Sequence, residues 1–70
     1  MGSDSELAIL RVLEAQGSLS LPEISKLVNI SELECSSELS HLVEQGYVFR
    51  LEDKFTIAFF GKLRLRESKG

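Results

Sequence analysis

The tetrad Ser-x-x-Glu occurs three times in this chain, and each time it heads a stretch whose apolar residues recur with helical spacing. Such a tetrad is a capping box. The hydroxyl accepts from one orphan N–H of the first turn, and the Glu reaches back to another. Ser3-Asp4-Ser5-Glu6 opens a helix expected from about Asp4 to Gln16, closed by Gly17, with Ile9, Leu10 and Leu13 inward and Leu7 at the edge. Ser20-Leu21-Pro22-Glu23 opens a short one over Leu21 to Val28, with Ile24, Leu27 and Val28 inward and Asn29 as a left-handed terminator. Its proline falls in the first turn, where a missing N–H costs little. Ser31-Glu32-Leu33-Glu34 opens a third over 32–45, stopped by Gly46, with Ile30 placed to staple onto Cys35. Cys35, Leu39, Leu42 and Val43 fall at i, i+4, i+7 and i+8, which is one face.

After Gly46 the period drops to two. Tyr47-Val48-Phe49-Arg50-Leu51 and Phe55-Thr56-Ile57-Ala58-Phe59 flank the charged tip Glu52-Asp53-Lys54, which predicts an antiparallel hairpin with Phe55, Ile57 and Phe59 on one face. Ser18-Leu19-Ser20 is placed to lend a third short strand. Beyond Phe60-Gly61, the run Lys62-Leu63-Arg64-Leu65-Arg66 alternates again. Two alternatives stay open for 62–66: a strand continuing past a bulge, or a final helix starting near Gly61. The domain is expected over 4–66, between a disordered or cloning-derived start at 1–3 and a frayed tail at 67–70. Its fold class is α+β, mainly α: three helices plus a C-terminal β-hairpin.

Seventy residues with 43 % hydrophobic content are a globular composition, too short for a doubly wound sheet or a barrel enzyme. One cysteine excludes an internal disulfide. No apolar run is long enough to span a membrane, and no basic stretch precedes an apolar one as in a secretory signal, so a reducing cytoplasm is the expected setting. Charge is unevenly spread. Residues 1–49 hold two bases against eight acids, a net −6; residues 50–70 hold six bases against three acids, a net +3. Such an asymmetry speaks to partners rather than to fold.

Helix, short strand, helix, tight connection, helix and hairpin is the order of the winged helix-turn-helix. The chain resembles that superfamily, in particular the ArsR- and MarR-type transcription regulators. Ser20-Leu21-Pro22-Glu23-Ile24-Ser25-Lys26-Leu27 looks like the first motif helix, and Asn29-Ile30-Ser31 like the turn. Cys35 to Val48 looks like the recognition helix running into the wing, with Leu39, Leu42, Gly46 and Val48 where the family places Leu, Leu, Gly and Val. The stretch from Phe55 to Gly61 is a looser match to the wing, and the likeness covers about Glu6 to Gly61.

The resemblance implies a DNA-binding transcription regulator, or the DNA-binding domain of one, with helix 32–45 in the major groove and a basic wing over 50–66 on phosphates. The residues it implies at DNA are Leu33, Ser36, Ser37, Ser40 and His41 on the helix, and Arg50, Lys54, Lys62, Arg64 and Arg66 in and after the hairpin. The partners it implies are double-stranded DNA and a homodimer mate or larger protein, with no membrane. On a strand, Lys62, Arg64 and Arg66 would all point one way. The competing reading of these bases is edge-strand protection.

The helix face opposite Cys35 carries Glu34 and Glu44 and no Arg or Lys, although affinity for DNA rests largely on positive charge. The alternative function is therefore a winged-helix protein-interaction module that docks a partner through this acidic face. Cys35 reads as core and His41 as a surface or rim residue. They lie six positions apart and form no catalytic dyad. Leu33 and Phe60 are candidates for partner contact against ordinary partial burial. No second Cys or His completes a zinc site, and no nucleophile–base pair or Gly-rich phosphate loop occurs. Neither an enzyme nor a cofactor or metal is expected.

Overall fold

The computed structural model describes residues 2–69, with side chains described for 5–67. Its elements are α1 (Gly2–Gln16), β1 (Leu19–Ser20), α2 (Leu21–Val28), α3 (Glu32–Glu44), β2 (Val48–Leu51), β3 (Lys54–Ile57) and α4 (Phe59–Lys69). The first capping box falls largely on side chains outside the described ones. The α1 backbone is already helical at Gly2, so Ser3 lies inside the helix and not before it.

The other two boxes set their helices. At α2 the Glu23 carboxylate accepts from the Ser20 N–H at 2.9 Å and from the Ser20 hydroxyl at 3.1 Å. The helix stops at Asn29, in the left-handed region at φ 65°, whose N–H donates to the Ser25 carbonyl. At α3 the Ser31 hydroxyl accepts from the Glu34 N–H at 3.1 Å. Ser31→Ala deletes that acceptor and is expected to cost about 1 kcal/mol. In a thermal melt this appears as a midpoint lower by roughly 4–8 °C. An unchanged midpoint would mean that the cap carries no stability.

Leu27 is more than half exposed, contrary to the expected inward set of α2, and Ser25 is buried in its place. Leu21, Ile24, Ser25 and Val28 form the i, i+3, i+4, i+7 stripe that meets the core, and Leu27 lies about 100° off it. Ser25 is satisfied there, its hydroxyl donating to the Ile30 carbonyl at 2.7 Å. This bond also ties the turn between the two motif helices.

The sheet has the order β1-β3-β2, all antiparallel. Val48 pairs with Ile57 and Leu51 with Lys54, and Leu19-Ser20 adds to the far side of β3 against Phe55 and Lys54. Glu52 and Asp53 make the hairpin tip, with Glu52 at φ 58°. Gly46 joins α3 to β2 at φ 82°, a left-handed conformation that glycine takes without steric cost.

The tail decides between the two alternatives open for 62–66: these residues are helical, in a fourth helix after the expected three, and the wing ends at Ile57. Phe59 therefore does not join the Phe55 and Ile57 face; it opens α4 and is exposed. Leu and Arg are good helix formers, so alternation alone does not make Lys62-Leu63-Arg64-Leu65-Arg66 a strand. Packing decides it. Gly61 lies directly against the Tyr47 carbonyl, and Leu65 joins Ile9, Leu10, Leu13, Leu19, Ile24, Cys35, Leu39, Leu42 and Val48 in one buried cluster.

Candidate nucleic-acid interface

Helix α3 separates its faces cleanly. Cys35, Leu39 and Leu42 are at most 1 % exposed, which fixes the rotation of the helix on the core. The opposite stripe, Leu33, Ser36, Ser37 and Ser40 at i, i+3, i+4 and i+7, is exposed along its whole length. His41 is exposed beside it, near Ser37, Glu38 and Glu6 of α1. Glu32 and Glu34 occupy the first turn, where carboxylates are stabilised by the positive end of the helix dipole.

An open cleft of about 620 Å³ runs between α3 and the hairpin. Ser36, Ser40 and Glu44 border it from α3, Arg50 and Asp53 from the hairpin, and Ser20 and Pro22 from the start of α2. The structure thus brings Ser36, Ser40 and Arg50 around one concavity. The Arg50 Nε–H donates to the Glu52 carbonyl at 3.2 Å, which steadies the guanidinium over the hairpin tip. Lys54 is exposed on the neighbouring strand, paired with Ser20 and Leu51. The Glu23 carboxyl is held below its ordinary value, first by the Ser20 N–H, then by the Ser20 hydroxyl, against a small desolvation, and last by the charge of Lys54. Lys54 therefore lies toward the N-terminus of α2.

The remaining bases do not belong to the wing. Lys62, Arg64 and Arg66 sit on α4, where residues two apart point to different sides. The expected common face of the three is lost. Lys62 and Arg66 are exposed, while Arg64 turns to α1 and approaches the Glu6 carboxylate at 4.0 Å. The basic wing of 50–66 reduces to Arg50 and Lys54. Sequence reasoning missed the start of α2 as part of the cleft. Only the register that pairs Ser20 with Lys54 brings it to the hairpin tip, and no local signal carries that register.

Cys35 is fully buried. Its thiol is pushed up from 9.0 to about 11, chiefly by burial and further by the charges of Glu32 and Glu38. A raised thiol favours the folded state at neutral pH. That contribution is lost as pH rises from the unfolded value near 9 through about 11. Two results are expected: thiol reagents label native protein slowly at neutral pH, and Cys35→Ala flattens the alkaline decline of stability. Fast native labelling would contradict the buried thiol. Among the described residues no cluster of three His, Cys, Asp or Glu side chains is placed to hold a metal, and no helix is long and apolar enough to cross a membrane.

The family described as winged helix-turn-helix DNA-binding matches residues 3–48, which run from α1 to the start of β2. No curated protein matches the chain. Among solved structures, a MarR family transcriptional regulator from Silicibacter pomeroyi superposes with a TM-score of 0.89 at 24 % identity, over 93 % of this chain and 46 % of that one. The multiple antibiotic-resistance repressor (MarR) of Listeria monocytogenes gives 0.87 at 19 % identity, over 93 % and 48 %. The reduced form of MarR from E. coli gives 0.84 at 20 % identity, over 90 % and 48 %. The chain spans about half the length of these structures, and at such identities the likeness is one of fold.

Proposed function

Because the chain belongs to the winged helix-turn-helix DNA-binding family, we propose that it is a transcription regulator, or the DNA-binding domain of one, that seats α3 in the major groove and lays its hairpin on the phosphates. The observation that carries this reading is the exposed Leu33, Ser36, Ser37 and Ser40 stripe, rotated outward by the buried opposite face and flanked across one cleft by Arg50. The stripe presents hydroxyls and one apolar side chain to base edges. Arg50 and Lys54 supply the phosphate contacts. The two acids in the first turn of α3 weaken attraction to bulk DNA, so base contacts carry a larger share of recognition here than charge does. This is a binding domain and not an enzyme, acting as a homodimer or within a larger protein.

Fluorescence anisotropy with a mixed-sequence duplex tests the proposal. Binding in the micromolar range is expected at about 50 mM salt, weakening toward about 200 mM with a log–log slope near 0.9 per phosphate contact. No binding at the lowest salt would defeat it. The acidic α3 face would then stand as a protein-docking surface.

A further inference from the structure

Leu33 is 84 % exposed, the highest value among the large apolar side chains of the described residues. It occupies the second position of α3, after the Ser31 cap and Glu32, on the outer stripe with Ser36, Ser37 and Ser40. Nothing in the fold calls for leucine there. The core face of α3 is complete with Cys35, Leu39 and Leu42, and the inward staple position is filled by Ile30, which packs on the core. A polar residue in the first turn would serve the helix equally and spare the water an apolar surface. The first turn of the second motif helix is also the part that meets base edges in this type of fold.

The rest of the stripe narrows what those edges are. The commonest specific contact, a bidentate Arg or Lys on guanine O6 and N7, is absent from α3, which has no Arg or Lys. Serine hydroxyls donate or accept with little preference among bases. Within the major groove, the one apolar feature is the C5-methyl of thymine, which an aliphatic side chain covers and thereby removes from water. We infer that Leu33 is a specificity-determining residue, and that it selects duplexes with a thymine methyl at the position it covers. This rests on the DNA-binding reading above and names the base chemistry of that same interface.

The test uses the whole chain and a duplex pool with a randomised core. Sequences retained after selection are resynthesised with each thymine in turn replaced by uracil, which lacks only the C5-methyl. Affinities are then read by anisotropy for wild type and Leu33→Ala. At one thymine per bound site, uracil is expected to weaken wild-type binding about fourfold, the size of one buried methyl group. The Leu33→Ala protein is expected to show no such loss at that thymine. Leu33 is exposed, so the variant is expected to fold, and a thermal melt checks it. Duplex binding that is indifferent to uracil at every position overturns the thymine contact while leaving DNA binding intact. A uracil penalty of equal size in Leu33→Ala assigns the contact to another residue and also overturns it. Absence of any retained sequence, with no salt-dependent binding, overturns the DNA reading itself, and a protein partner captured through Leu33 would take its place.

Discussion

Alanine at position 61 is expected to destabilise the domain by about 2–3 kcal/mol and to lower its melting midpoint by more than about 10 °C. A Cβ on Gly61 would stand 2.3 Å from the Tyr47 carbonyl oxygen and 2.7 Å from Cγ1 of Ile57. The nearer obstacle is backbone and cannot rotate away. That carbonyl also accepts the Ala58 N–H at 2.9 Å, the bond that leads β3 into α4. Relief therefore means either giving up that bond or lifting α4, and lifting α4 draws Leu65 out of the core. The sign of the effect is informative. Gly61 lies inside a helix, where alanine is intrinsically better than glycine by about 0.8–1.0 kcal/mol. A tail helix that did not pack on the hairpin base would be stabilised by the same change. A midpoint that holds or rises in Gly61→Ala would show that α4 is not seated as described.

Replacing Arg50 and Lys54 together by Gln is expected to lower the slope of log affinity against log salt by about 1.8, two phosphate contacts at 0.9 each, which at about 0.1 M salt is roughly a sixtyfold loss. Both side chains are exposed and outside the core, so the fold should survive. Because phosphates carry no sequence information, the loss should be the same on every duplex. The matching change at Lys62 and Arg66 should leave the slope unaltered. Those residues ride on α4, which starts at the base of the hairpin and packs on α1. Equal losses from the two pairs would place α4 at the DNA and move the interface. A sequence-selective loss from the Arg50 and Lys54 pair would mean that they read bases, not phosphates.

These two expectations differ in how far the sequence alone leads to them. The starts of α2 and α3 are written locally, as a hydroxyl and a glutamate three residues apart, and the hydrogen bonds at Ser20 and Ser31 form where that spacing puts them. The left-handed stops at Asn29 and Gly46, the outward rotation of Leu33, Ser37 and Ser40, and the hairpin of β2 and β3 follow from equally local patterns. Each of these signals is complete within about one helical turn or one strand pair, so no distant residue is needed to interpret it.

Three features are not local, and for these the tertiary structure decided. Leu27 and Ser25 are neighbours on the same short helix, and which of them is buried depends on where α1 and α3 stand around it. The alternating Leu and Arg of 62–66 suit a strand by period and a helix by propensity. The choice falls to helix because Gly61 fits beneath the Tyr47 carbonyl and Leu65 reaches the core beside α1. Arg64 is directed by that same packing toward Glu6, leaving Arg50 and Lys54 as the bases of the wing. Spacing along the chain sets which residues share a face. Whether that face meets the core, another helix or open water is set by elements far away in sequence, through burial that no short segment can register by itself.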